Sequence, residues 1–376
     1  MQLSYGLVKL KTSKKKLRNK VHSMNLVGID DGNYGCKLTT RKGNDTVSVI
    51  VPSLVRKGLM RQRSALDMTN MGGGIESRTF SIDDQIFSTG NVKNDANRAI
   101  SRSYSSSCEN LAVVHNALLS AGLGGKDVAV MTGLPFSYYY QPNGEVNKAL
   151  VKAKKERFKS EVAMHESADK CANIEKHFVM AQGEAAYFDI LVDMSTRRTS
   201  SGLVTIGEPR KDILESNVLV LDMGGGTTDV VVVGPNGVID HARSGSFEHA
   251  GYKLIADIES AVRARFEIVA NLGRQRYEDA LKTGKLKINA SRVVDVGDIR
   301  KQVVAEHFDS INERANAIVG SLDDIDIVVP VGGTPSFFTD EINAAYSENQ
   351  VIWTEDAINS NSRGMFKRLY LTMNSK

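Results

Sequence analysis

Short apolar runs alternate with stretches of helical periodicity along this chain, and the rhythm predicts an α/β architecture. Residues 26–30 form the first such run. Residues 31–35 read as a turn and 36–40 as a returning strand, because Asp-Gly between two strand-like runs is a hairpin signal. A strand follows at 47–51, a loop at 58–78 with a glycine-rich stretch at 71–74, and a further strand at 81–87. Residues 110–120 have helical spacing and stop before Gly122, Gly124 and Gly125. An apolar strand at 128–132 runs into Gly133, Leu134 and Pro135. A charged helix is expected at 145–160, a strand at 178–180, and an alanine-rich helix beginning at Gln182. The second half opens like the first, with a strand at 218–222, a turn at 223–228 and a returning strand at 229–233. Helices are then expected within 245–265, at 277–281 and at 303–318. A strand at 326–330, a turn at Gly332 and Gly333, a helix at 339–345 and a last helix at 363–371 packed back on the body complete the pattern.

The echo between the halves places two aspartate-glycine turns across one cleft. At 376 residues the chain suits two domains. The expected division is a basic tail at 1–24, a first domain at 25–190 completed by 346–376, and a second domain at 191–345. The formal charge of +4 misleads, because seven basic side chains and no acidic ones lie within residues 1–24, leaving the body at −3. The body is therefore not a generally basic nucleic-acid-binding surface. The tail is a solvated extension, or a segment added by a start codon ahead of Met24, or a binding element. Cys36, Cys108 and Cys171 match no disulfide framework or zinc pattern. A reducing, cytoplasmic setting is expected, with Cys36 a small buried filler. The seven histidines show no metal-ligand spacing, and no apolar window is long enough to span a membrane.

The chemistry concentrates in three glycine elements. The first turn runs Asp30-Asp31-Gly32-Asn33-Tyr34-Gly35-Cys36-Lys37, and the second Asp222-Met223-Gly224-Gly225-Gly226-Thr227-Thr228-Asp229. Each sets a carboxylate at a strand end and then turns sharply, so that successive backbone N–H groups form an anion nest. Lys37 adds a point charge for terminal phosphates. Asp30 and Asp222 make sense beside phosphate once Mg²⁺ is included, held through its retained waters. Neither a Walker loop nor a dinucleotide fingerprint occurs. The third element, Gly332-Gly333-Thr334, follows an apolar strand and precedes a helix, so its backbone can approach a base and α-phosphate.

With these residues in this order, the chain from 25 onward resembles the actin-like ATPases, and most closely the ParM/StbA plasmid-segregation proteins. The stretch 26–32 looks like their first phosphate motif, 222–229 the second, and 332–334 the adenosine motif. Residues 130–135 with Tyr138, Tyr139 and Tyr140 are similar to the strand and loop before their connecting segment, and 361–366 to their C-terminal glycine element, a resemblance that places Gly364 among the nucleotide-binding residues. The resemblance implies two α/β domains of the actin-like, ribonuclease H-like fold around a cleft for ATP/ADP and Mg²⁺. It implies that Gln182 or Glu184 positions the attacking water; the family's motif carries a glutamate where this chain departs from it. It places Gly251 beneath the nucleotide, and Glu278 and Lys282 near ribose and adenine, although four-residue spacing on a helix also describes a plain salt bridge.

The function so implied is ATP hydrolysis coupled to a self-assembling filament that segregates plasmid DNA through a DNA-bound adaptor protein. A filament for cell shape or positioning, or a non-polymerising sugar- or acetate-kinase-like enzyme of the same superfold, are the alternatives. A stoichiometric phosphate acceptor would mark the last of these.

Overall fold

The computed structural model describes residues 24–59, 77–90, 103–165, 167–199, 202–248, 251–268 and 272–374. The basic stretch 1–23, the glycine-rich stretch 71–74, His22 and His249 lie outside the described residues.

Two sheets of matching topology form the frame. In the first, Asp45–Pro52, Gly35–Lys42 and Asn25–Asp31 make an antiparallel meander, and Asp127–Leu134 and Asn173–Ala181 add in parallel. In the second, Val218–Met223 pairs antiparallel with Thr228–Gly234 on one side and parallel with Ile327–Val331 on the other, with Val238–Ile239, Gly245–Phe247 and Gln350–Val351 at the margins. The central strands are mainly apolar because both faces are covered, with Asp30, Asp31 and Asp222 confined to their C-terminal ends. Every residue of Val218–Met223 and of Ile327–Val331 is buried.

Helices supply that cover. Cys108–Ser120 closes one face of the first sheet, where Leu111, Val114 and Leu118 meet Val27, Ile29 and Val130. The C-terminal helix Ser360–Asn374 lies on the other face, with Met365 and Leu369 against Ala129 and Met131. Gly251–Phe266 and Gly297–Val319 cover one face of the second sheet. The short helix Glu184–Leu191 is shared. Ala185 packs with Met365, while Ala186, Tyr187 and Ile190 pack on Val218, Val220 and Val231. It forms a wedge between the two halves.

Several elements differ from the sequence pattern. The strand expected at 81–87 is a hairpin, Arg78–Ile82 and Gln85–Thr89, turning at Asp83 and Asp84 with φ of 47° and 60°. Aspartate tolerates that left-handed region and gives a weaker turn signal than glycine. The charged helix starts at Lys148, where the Asn147 side chain accepts from the Leu150 N–H. A hairpin of eight paired positions, Val192–Thr199 with Gly202–Pro209, was not expected at all. Among the described residues it joins no other sheet, so no continuous apolar run marks it in sequence.

Burial of His115 in the Cys108–Ser120 helix has a measurable consequence. Its Nδ1 has no partner among the described residues, and burial lowers its pKa to about 4. An unfolded imidazole takes up its proton near pH 6.5, so this contribution is intact above that pH and is lost, by about 3 kcal/mol, as pH falls towards 4. His115→Leu is expected to flatten the fall in melting temperature between pH 6.5 and 4. An unchanged slope in thermal melts would contradict it.

Candidate functional site

The two hairpin turns meet face to face. A cavity of about 170 Å³ lies between them, lined by Asp30, Asp31, Gly32, Asn33, Tyr34 and Lys37 on one side and by Asp222, Gly224, Gly225, Gly226 and Thr227 on the other. Gln182, Lys154, Gly133 and Gly332 also line it. Small-molecule pockets usually measure roughly 300–1,000 Å³, so the halves stand closed on each other and must part for a large ligand. Tyr34 accounts for much of that closure. A Cβ on Gly225 would lie 2.3 Å from the Tyr34 Cβ, so only glycine fits there. The Tyr34 hydroxyl donates to Glu278 across the cleft, its ring meets Tyr252 edge-on at 5.9 Å, and Arg274 stacks 4.0 Å over Tyr252.

The hairpin registers set the charges. Asp30 stands directly opposite Lys37, and Asp222 directly opposite Asp229. The first pair is an ion pair, Lys37 Nζ to Asp30 Oδ2 at 3.0 Å. Burial works against the Lys37 charge, but Asp30, with Asp222, more than offsets it and raises its pKa. The second pair juxtaposes like charges. Burial, then Asp229 and Asp30, push the Asp222 carboxyl well above the ordinary range, against the opposing Asn361 hydrogen bond and Lys37. Burial also raises Asp229, which accepts from the Phe136 N–H at 3.2 Å.

Gln182 precedes the helix rather than starting it. Gly183, at φ 75°, is the N-cap, and the turn aims the Gln182 Nε2 at Asp30 Oδ1, 2.7 Å away. Among the described residues no hydrogen bond is made to its Oε1. Glu184 faces elsewhere. Its carboxylate accepts from the Tyr140 hydroxyl at 3.1 Å, and burial raises its pKa against that bond and Arg368.

Of the remaining expected residues, Thr334 Oγ1 donates to the Met223 carbonyl at 2.9 Å, and the Gly251 N–H to the Gly224 carbonyl at 3.3 Å, so both brace the glycine turn from behind. Gly333 sits against Ile358 rather than in the cavity wall. Thr228 is a fully buried strand residue. Glu278 lies behind Tyr34 and pairs with Arg274 at 3.2 Å, and Lys282 is exposed on the same helix, Arg274–Thr283, with no salt bridge between the two among the described residues. Gly364 belongs to a helix crossing: a Cβ there would lie 1.7 Å from the Ala185 carbonyl oxygen. The pattern of residues missed Lys154, which is fully buried and grips both Asp31 oxygens at 2.9 and 2.7 Å and the Gly133 carbonyl at 2.5 Å. Nothing in the run KALVKAKKER separates it from its exposed neighbour Lys152. Asn361 was missed as a site residue too, although its side chain donates to Asp222 Oδ2 at 2.6 Å.

Residues 25–192 match the family described as plasmid segregation protein ParM, N-terminal. The fold is actin-like, and the family match is confined to its N-terminal part. Solved structures agree over nearly the whole chain. The archaeal actin homologue Ta0583 superposes with a TM-score of 0.70 at 18% identity, covering 93% of this chain and 100% of that one. The same homologue in complex with ADP gives 0.67 at 17% identity, covering 91% and 98%. A 15-stranded ParM filament from Clostridium botulinum gives 0.68 at 15% identity, covering 93% and 99%. No curated protein matches the sequence. At such identities the structural likenesses establish the actin-like fold alone. No helix among the described residues is long and apolar enough to cross a membrane.

The donor set of this cleft fits a hydrated divalent cation. Asp30, Asp222 and Asp229 concentrate negative charge that Lys37 only partly offsets, as the raised Asp222 carboxyl records. Among the described residues no three His, Cys, Asp or Glu side chains are grouped so as to hold a metal ion by themselves.

Proposed function

We propose that this chain binds ATP with Mg²⁺ in the cleft between its two sheets, hydrolyses it, and assembles head to tail into a filament that moves plasmid DNA through a DNA-bound adaptor. The division into residues 25–190 with 346–376 as one domain and 191–345 as the other belongs to the same reading, as does a cytoplasmic setting. The observation that carries it is the Asp30–Lys37–Gln182 cluster facing Asp222 and the three glycines across one cavity. Family and neighbours support it: a ParM N-terminal match, an actin homologue solved with ADP, and a ParM solved as a filament.

Asp30 and Asp222 would hold the cation, which when bound neutralises charge on the transferring phosphoryl group. The backbone N–H groups of both turns and Lys37 bind and orient the phosphates. Gln182, fixed through Nε2 on Asp30, presents Oε1 to orient the attacking water. It is an acceptor that aligns the water, not a base. A nucleotide reaching Glu278 would displace the Tyr34 hydroxyl, so entry requires the halves to part and reclosure follows binding. Contacts between unlike faces of successive copies do not close, and so propagate into a filament.

Light scattering and phosphate release, followed together over a range of protein concentrations, test the reading. Scattering should rise above a critical concentration only with ATP and Mg²⁺, and decay as ADP accumulates. Gln182→Ala should assemble but release phosphate at least about tenfold more slowly, with longer-lived filaments. Hydrolysis proportional to protein concentration, with no scattering rise, would overturn the filament and favour a soluble kinase.

A further inference from the structure

Asn361 stands where the two halves of the cleft and the Gln182 turn converge. It lies in the first turn of the Ser360–Asn374 helix, 4% exposed, and both ends of its amide are engaged. Nδ2 donates to Asp222 Oδ2 at 2.6 Å, and Oδ1 accepts from the Gly183 N–H at 3.1 Å. Gly183 adjoins Gln182, whose own N–H donates to the Leu134 carbonyl at 2.8 Å and whose Nε2 holds Asp30 at 2.7 Å. A continuous path of hydrogen bonds, completed by the Gln182–Gly183 peptide link, therefore runs from Asp222 through Asn361 to Gln182 and Asp30.

The chemistry of that position is narrow. A primary amide donates at one end and accepts at the other. Aspartate would keep the acceptor for Gly183 and set a carboxylate against Asp222. Serine is too short to span both partners. The amide is also delivered on a rigid support. The Gly364 backbone is packed on Ala185, and Arg363 holds Asp189 at 2.6 Å, so the C-terminal helix and Glu184–Leu191 are fixed to each other just beyond Asn361 and Gly183.

We infer that Asn361 is a positioning residue that ties the Gln182 turn to Asp222, so that the water-orienting amide is aligned only while that carboxylate is in its working place. This inference rests on the reading of the cleft as an ATP-hydrolysing site. Asn361 touches neither substrate nor water in it. It acts through Gln182, and a misplacement of about 1 Å in an orienting group costs on the order of a hundredfold in rate.

The test is a double-mutant cycle on phosphate release, with nucleotide affinity measured in parallel. Asn361→Ala should lower kcat about tenfold or more and leave the ATP dissociation constant within about twofold. In a Gln182→Ala background the same substitution should cause no further loss, because the group it positions is gone. Asn361→Ser, which leaves room for a bridging water, provides a second variant and should recover part of the rate. Additive losses in the cycle, unchanged turnover, or an effect confined to affinity would each overturn the inference, as would failure of both variants to fold. A wild type that binds ATP but releases no phosphate would instead overturn the reading of the cleft, and the inference with it. An active wild type beside unaffected Asn361 variants overturns the inference alone.

Discussion

Asp222→Asn is expected to cut ATP turnover by at least about a hundredfold while making the metal-free protein more stable. The carboxylate is buried opposite Asp229 and near Asp30, and that surrounding raises its pKa well above the ordinary range. Like charges directly opposite on paired strands destabilise the pair, and a buried charge without a full counterion adds to the cost. Asparagine has the same shape, keeps a carbonyl to accept from Asn361, and removes the charge. A gain of about 1 kcal/mol would raise the melting temperature by roughly 2–4 °C in EDTA. The charge that destabilises the empty cleft is what the bound cation uses, so removing it takes away electrostatic stabilisation of the transition state, worth about 10²–10³ in rate for a single donor at comparable sites. Adding Mg²⁺ and ATP should therefore stabilise the wild type more than the variant. Thermal melts with and without Mg·ATP, beside phosphate-release assays, check both halves. Near-normal turnover would remove Asp222 from the site, and a lower melting temperature in EDTA would show that the carboxylate is structurally satisfied.

Lys154→Met is the substitution with the largest expected cost in stability. Its ammonium is fully buried, bonded to both oxygens of Asp31 and to the Gly133 carbonyl. Methionine fills most of the stem's volume but abandons a buried carboxylate, and breaking such a pair from one side costs about 3–5 kcal/mol. By the usual entropy of unfolding this lowers the melting temperature by on the order of 10 °C. Adding Asp31→Asn to the same chain removes the stranded charge and should restore most of the loss. Calorimetric or circular-dichroism melts of the two single variants and the double variant decide it. A single-variant loss below about 1 kcal/mol, or no recovery in the double variant, would mean that water or another group compensates Asp31.

Much of the frame was legible because its signals are local. The apolar run before Asp30, the glycines after Asp222 and the apolar strand before Gly332 each need fewer than ten residues to declare a strand end and a turn. The helix at 339–345 and the hairpin at 218–233 fall where the pattern places them. Gln182 was legible as a polar residue in this region, though its place in the turn before the helix was not, because the Gly183 N-cap at φ 75° delays the helix to Glu184, two residues later than the alanine-rich pattern implies.

Sequence by itself determined the α/β rhythm, the two facing aspartate-glycine turns and the set of residue types available to the cleft. Tertiary structure alone decided which of them meet. Lys154 is one lysine among several until its helix presents a single face to Asp31, 123 positions away. Asn361 reaches Asp222 across 139 positions, and Glu184 turns to Tyr140 although only one residue separates it from Gln182. Gly364, which resemblance assigned to the nucleotide, is there so that two helix backbones can touch. The strands Val192–Thr199 and Gly202–Pro209 have no further sheet neighbours among the described residues to demand an apolar run, and so leave no mark in the pattern. The physical reason is one of range: backbone preference and burial are encoded by near neighbours, whereas a charge or an amide acquires its partner only when distant strands and helices pack and exclude the water that would otherwise satisfy it.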